Sequence, residues 1–417
     1  MTDWIGAAEA ARRLGIKQAS LYSYVSRGVL TRRRAEDGRA SLFHAGEVEG
    51  LARRGRPRRG PAATELVIET ELTEITGDQL RYRGRDAIVL AAERSFEDVA
   101  GLLWTGSLDE PRPGAVWQAT AEAIAAGRGA QAALPAGTLP LERLQVIVPA
   151  MAATDPLRLH LDPSAVIAAA RCLISGMVDC LPALAGEPGP AGEPGSAGES
   201  GSAGTTIAER LAPRLCPDPL APDLTAALRA ALVLVADHEL AASTLAARVA
   251  ASVRADPYAV VATGLGALGG SLHGGASLGA EVMLASASGP AGAARVVGDL
   301  LRRGERIPGF GHFVYKSGDP RAVLLLKILR QAAPGSERLA VAEAVVAEVR
   351  RRALPEPNVE FALAALAAVA GMIPGAGEAV FAVARAAGWL AHALEEYARN
   401  MPIRPRGVYT GLPAAAC

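Results

Sequence analysis

Gly270-Ser271-Leu272-His273-Gly274-Gly275-Ala276 and Pro308-Gly309-Phe310-Gly311-His312-Phe313-Val314-Tyr315-Lys316, the second running into Asp319-Pro320-Arg321, decide how this chain is read. Each sets a histidine among glycines. Upstream lies Ala236-Asp237-His238-Glu239 and downstream Pro357-Asn358-Val359-Glu360-Phe361, so three of the six histidines and one apolar-flanked carboxylate fall in four short segments. Histidines beside glycine, followed by a candidate base, point to an enzyme.

Glycine on both sides of His273 lets a ligand approach the backbone and leaves the imidazole exposed at a loop or helix start, where outward main-chain N–H groups suit an anionic or carbonyl oxygen. His312 repeats the device, and Arg321 offers the planar fork that pairs a carboxylate bidentately. Burial of Glu360 between Val359 and Phe361 would raise its pKa and suit it to general-base work. Taken singly, each of these residues reads as a capped loop or a surface charge; taken together they supply acid, oxyanion donor, anion clamp and base. A metal centre is the competing reading. The chain has no H-E-x-x-H or comparable pair, and the expectation is a site without metal.

Half of the 417 residues are hydrophobic, enough for large cores and two or three domains. Net charge is zero, but residues 1–61 hold 13 Lys/Arg against 6 Asp/Glu, leaving 30 against 37 in the rest. That asymmetry gives the N-terminal segment alone a leaning towards an acidic partner. Cys172, Cys180, Cys216 and Cys417 form no C-x-x-C pair or disulfide framework, and the start of the chain lacks a secretory pattern, so a cytoplasmic protein with reduced thiols is expected. The uncharged run from Pro257 to Ala280 is long enough for a membrane span but crowded with glycine, and reads as buried core.

Ala7 to Ile16 predicts one helix and Ser20 to Gly28 a second, opening on serine and closing on glycine. With Arg32-Arg33-Arg34, a glycine turn and Phe43 to Val48, the segment resembles the winged helix-turn-helix of the mercury-resistance-regulator family. That resemblance implies a helix in the DNA major groove and a basic wing on phosphates. The other reading is an interaction module that packs on the main body. Arg53 to Pro61 is a basic, proline-broken linker, and Glu65 to Ile75 alternates as a strand or hairpin does. Beyond it, alanine- and leucine-rich segments have helical spacing. Gly186 to Gly204 is a run of Gly-terminated triplets, read as a disordered surface loop. His392 and His160 read as packed and surface residues respectively, and Trp104, Trp117 and Trp389 as core.

The segments Leu234 to Thr244, Gly270 to Ala276, Pro308 to Arg321 and Pro357 to Phe361 resemble, in order and spacing, the motif set of the citrate synthase family. Leu80 to Gly84, Phe96 to Trp104, Arg385 to His392 and Arg404 to Gly411 extend the resemblance over about residues 70–411. It implies a mainly α fold of large and small helical domains, here residues 64–278 with 380–417 and residues 279–379, carrying the insert at 186–204. A helix-turn-helix module at residues 1–52 and a linker at 53–63 precede them.

The resemblance further implies an acyltransferase of the tricarboxylic acid cycle type. It condenses acetyl-CoA, or propionyl-CoA to give 2-methylcitrate, with oxaloacetate and then hydrolyses the thioester, with no cofactor beyond the acyl-CoA substrate. By position, Glu360 takes the acyl α-proton, His273 hydrogen-bonds the thioester oxygen and His312 polarises the oxaloacetate carbonyl. His238, Arg321, Arg385 and Arg404 hold oxaloacetate, Arg404 coming from the second subunit of a homodimer, and Ile307, Pro308, Gly309, Phe310 and Gly311 receive the CoA adenine. So weak a carbon acid needs preorganised donors in a closed site, which two closing domains provide. The chain departs from the family at Glu360, where aspartate is usual, at Val235 (histidine), and at Ala241 and Ser277 (asparagines), and the Tyr-Ser-Gly that follows the base is absent. These departures support an alternative: a DNA-binding regulator that uses the body as an oxaloacetate or acyl-CoA sensor.

Overall fold

A computed structural model describes residues 4–14, 18, 21, 24–25, 30–35, 40–49, 67–108, 117–184, 206–407 and 409–411. By contact these fall into two compact units, Glu69–Ile403 on the one hand and Met1–Ile68 with Arg404–Cys417 on the other. The expected linker at 53–63 and the insert at 186–204 lie outside the described residues.

In the N-terminal unit, β1 (Trp4–Gly6) leads into α1 (Ala7–Leu14), and β2 (Arg32–Arg34) and β3 (Ser41–His44) complete an antiparallel sheet ordered β1-β3-β2, with Ile5 opposite Phe43 and Arg33 opposite Leu42. Ala10, Ala11, Leu21, Leu30, Phe43 and Val48 form its core. The first expected helix is present to Leu14; of the second, residues 21, 24 and 25 are helical and the remainder lies outside the described residues. Strand β1 was not expected, because a three-residue strand acquires its identity only from its distant partner.

The larger unit begins irregularly. Of the strand or hairpin expected over 65–75, the described residues form one from Thr73: β4 (Thr73–Thr76) pairs with β5 (Gln79–Tyr82), which pairs with β6 (Arg85–Asp86). The backbone just before it has other partners. Glu71 N donates to Glu395 Oε1 (2.8 Å), and Glu69 O accepts from Arg248 Nη2 (3.5 Å) and from Arg399. Alternating polarity cannot show that these side chains pre-empt the ladder.

The rest is helical: α2 (Ala87–Glu93), α3 (Phe96–Thr105), α4 (Ala121–Ala132), α5 (Pro140–Ala152), α6 (Pro163–Asp179), α7 (Ile207–Leu215), α8 (Pro222–Leu234), α9 (Ala242–Ser252), α10 (Pro257–Leu268), α11 (Gly275–Ala285), α12 (Ala293–Arg302), α13 (Pro320–Ala332), α14 (Glu337–Arg351), α15 (Val359–Val369) and α16 (Ala376–Arg399). Their starts are written locally. Asp256 caps α10 and Asp319 caps α13, each with proline in the first turn, while Ser95 with Asp98 and Thr206 with Glu209 form capping boxes. Helix α16 is the axis of the unit, buried along most of its length. Its small residues admit close neighbours, and Gly264 of α10 lies against the Trp389 ring, which a side chain there would overlap. Trp104 and Trp117 stack at 5.2 Å in the core, His160 is exposed and His392 is fully buried. No helix among the described residues is long and apolar enough to cross a membrane.

Candidate active site

Two of the glycine-histidine segments are built by close backbone approach. Gly309 and Gly311 have φ of +78° and +84°, and a side chain at Gly309 would sit 2.7 Å from Phe361 Cβ. The strip is laced to the segment before α15 by Gly311 N to Glu356 O (2.9 Å), Asn358 N to Gly309 O (2.9 Å) and Asn358 Nδ2 to Gly311 O (3.0 Å). His312 and Glu360 are thereby held in one frame. The loop of His273 folds on itself, with Gly274 N bonded to Leu268 O (2.9 Å) and His273 N to Gly270 O (2.9 Å). The expected outward N–H groups are therefore not free: those of His273 to Ser277 all bond back within the loop. The histidine ring, not the main chain, is the donor offered here.

His312 Nδ1 accepts from Val314 N (3.0 Å) and Tyr315 N (3.3 Å). Burial first, then Arg321, pushes its pKa down to about 4, so the ring is neutral with its proton on Nε2. Its Nε2 edge lies 3.4 Å from Arg321 Nη2, a contact that an incoming carbonyl oxygen would have to replace. Its ring lies 5.2 Å from that of His238 and 4.7 Å from Tyr315, whose hydroxyl bonds His238 Nε2 at 3.0 Å. His238 is held well below its usual value, chiefly by burial and then by Arg321 and Arg385. His273 Nε2 meets Ser243 Oγ at 2.7 Å, and burial with Arg385 lowers it to about 4.

The arginines differ in what they leave open. Arg385 spends Nε on Val235 O (2.8 Å), while Nη1 and Nη2 are buried without a partner; burial lowers it to about 10, against the support of Asp237 and Tyr82. The Phe381 ring lies beneath its guanidinium at 4.5 Å and beside the His273 ring at 5.9 Å. Arg321, expected as the open fork, is already paired with Asp319 through Nε (2.9 Å) and Nη2 (2.8 Å). Its fork is closed by a neighbour two residues away, so the unengaged bidentate donor is Arg385. Arg404 is exposed and groups with the N-terminal unit.

Glu360 is half-buried with its Oε2 buried and unpartnered; burial raises its pKa, opposed by Arg321 and Arg385. A desolvated carboxylate oxygen without a donor is a stronger base than one in water. Ile307, Phe310 and Gly311 line a cavity of about 510 Å³ with Leu301, Arg306 and Leu354; Pro308 borders a neighbouring one beside Gly275 and Gly279. Among the described residues no group of side chains could hold a metal ion.

Sequence reasoning passed over Asp319, Tyr315, Ser243 and Asp237. Asp319 carried a signal, as an acidic residue before proline at a helix start; the others act on partners about 30 to 155 residues away, which spacing does not reveal.

The family described as "Citrate synthase, C-terminal domain" matches residues 63–406. The chain belongs to the citrate synthase family. Within that family, it is 33% identical to a citrate synthase of Haloferax volcanii over 371 residues, 83% of this chain and 94% of the relative. A 2-methylcitrate synthase of Corynebacterium glutamicum is 36% identical over 184 residues, 43% of this chain and 48% of that protein. The citrate synthase fold is also found in the solved Thermoplasma acidophilum citrate synthase, a ternary complex with carboxymethyl coenzyme A and oxaloacetate. The two share a TM-score of 0.70 and 25% identity over 85% of this chain and 96% of that one.

Proposed function

We propose that this citrate synthase family member condenses a short acyl-CoA with oxaloacetate and hydrolyses the thioester, giving citrate or 2-methylcitrate and CoA. The observation that carries the reading is the pairing of opposites in one buried place: an unpartnered carboxylate oxygen on Glu360 and an unpartnered guanidinium fork on Arg385. Glu360 takes the proton from the acyl α-carbon while the neutral His273 ring donates to the thioester oxygen, so the nucleophile forms as an enol. His312 Nε2–H polarises the oxaloacetate carbonyl that is attacked. His238 and Arg385 orient oxaloacetate, and Arg321 lends charge more than a fork, Asp319 having claimed its Nε and Nη2. The segment from Ile307 to Gly311, beside the cavity of about 510 Å³, receives the CoA adenine.

The working unit in this reading is a cytoplasmic homodimer whose partner supplies Arg404, with residues 64–278 and 380–417 as the large domain and 279–379 as the small one. A wing-like strand of three exposed arginines, Arg32 to Arg34, with Arg33 over the Trp4 ring at 4.4 Å, supports a helix-turn-helix at residues 1–52 that binds duplex DNA through phosphate contacts. Purified protein given acetyl-CoA or propionyl-CoA with oxaloacetate is expected to release free CoA thiol. No release with any short acyl-CoA refutes the reading.

A further inference from the structure

One face of α16 holds the loop that presents His238. Arg385 Nε donates to Val235 O (2.8 Å), Gly388 N to Ala236 O (3.1 Å) and His392 Nε2 to Asp237 Oδ2 (3.3 Å). Residues 385, 388 and 392 share a helix face, and they meet three consecutive residues of the loop. A side chain at Gly388 would fall on Ala236 O and Asp237 Oδ1, so the loop lies directly on the helix. Immediately after His238, Glu239 has φ of +53°, a left-handed conformation that a non-glycine residue keeps only where its surroundings impose it.

The proton on His392 is fixed by its neighbours. Arg248 Nη1 can only donate, and it meets His392 Nδ1 at 2.6 Å; the remaining ring proton is therefore on Nε2, aimed at Asp237. Arg248 is fully buried and held in turn by Glu396 and Glu395. Asp237 Oδ2 also accepts from Thr73 Oγ1 (2.5 Å), and Asp237 O accepts from Tyr82 (3.0 Å). Packing alone would need none of this: an apolar side chain could fill the volume of a buried imidazole, but could not receive Arg248 on one edge and give a proton to Asp237 on the other.

We propose that His392 is a positioning residue for the oxaloacetate site, relaying the buried Arg248 cluster to Asp237 so that the face of α16 fixes where His238 stands. The proposal rests on the reading of the site as an oxaloacetate site. Its test is calorimetric titration of oxaloacetate into the full-length protein, which needs no turnover, beside steady-state kinetics. In His392→Gln the amide can accept from Arg248 and donate to Asp237; in His392→Leu it can do neither. Loss of a hydrogen bond to a charged group corresponds to a tenfold or greater loss of affinity. His392→Leu is therefore expected to bind oxaloacetate at least about tenfold more weakly, with the acyl-CoA KM within about twofold of wild type, and His392→Gln to recover binding to within about threefold. Oxaloacetate affinity in His392→Leu equal to wild type, or equal losses in both variants, overturns the proposal. Should His392→Leu not fold, His392→Asn, whose shorter amide cannot span Arg248 and Asp237 together, takes its place. It is expected to raise the oxaloacetate KM with kcat unchanged, and an unchanged KM overturns the proposal. Wild-type protein that binds no oxaloacetate refutes the proposed function instead.

Discussion

Replacing Glu360 by Gln and by Asp separates the chemistry of the base from its reach. The backbone at this position cannot follow a shortened side chain. Val359 N is held by Asp319 Oδ2 (2.9 Å), Asn358 N by Gly309 O (2.9 Å), and Phe361 N is capped by Asn358 Oδ1 (3.3 Å). The Phe310 and Phe361 rings, 4.8 Å apart, tie the same two segments together. Aspartate therefore withdraws the carboxylate by one C–C bond, about 1.5 Å. A misplacement near 1 Å costs about 10²-fold, so Glu360→Asp is expected to lower kcat about 100-fold, equivalent to about 2.7 kcal/mol. Glu360→Gln keeps the reach but cannot accept a proton, and a fall of about 10²–10⁴ in kcat is expected. Both are read from CoA thiol release at saturating oxaloacetate and acyl-CoA, with thermal denaturation to confirm the fold. Full kcat in the Gln variant would show that Glu360 is not the base. An Asp variant faster than wild type would show that the frame around α15 is built for the shorter side chain.

The acid limb of the kcat profile should belong to Glu360: its pKa is raised above the usual 4.5 and the carboxylate must be ionised, so activity falls as pH drops through a midpoint above 4.5, whereas His273 and His312, at about 4, stay neutral through that range. A limb that vanishes in a His312 variant but persists in Glu360→Gln would reverse the assignment. Asp319→Asn leaves the buried Arg321 without its counter-charge and should destabilise the fold by about 3–5 kcal/mol in denaturant titration; a loss under about 1 kcal/mol refutes the buried pair. Glu378 is pushed up to about 7, by burial and then by Glu281 and Glu142, so its contribution to stability is complete below the unfolded value of 4.5 and is lost as pH rises through about 7. Glu378→Gln should accordingly raise Tm at pH 8.5, by an amount corresponding to at most about 3 kcal/mol, and leave Tm unchanged at pH 4; equal Tm values at pH 8.5 contradict the placement.

The helical body and the three catalytic candidates were legible because their signals are local. Apolar spacing, an acidic cap before proline and glycines at positive φ each act within a few residues, and Gly309 shows why: only a bare backbone lets Phe361 approach. What was not legible was made by how neighbouring side chains turn or by distant partners. Arg321 looked like a free fork because its fork and Asp319 are two residues apart in sequence, a spacing that says nothing of how the side chains turn. His392 is buried as expected, but Arg248 and Asp237, which define its proton, lie 144 and 155 residues away. The strand or hairpin expected over 65–75 is seen from Thr73, the backbone of Glu69 and Glu71 just before it being claimed by Glu395, Arg248 and Arg399.

That claim on residues 69–71 bears on how the chain can be trimmed. The buried Arg248, the half-buried Glu395 and the exposed Arg399 take the carbonyl of Glu69, the hydroxyl of Thr70 (3.2 Å) and the amide of Glu71 as partners. A cut ahead of Glu69 leaves every one of those bonds in place; a cut four residues later strips Glu395 and Arg248 of backbone partners at the root of the cluster that ends on Asp237. The edge of the catalytic body is therefore drawn at a single peptide, and it is drawn by electrostatics.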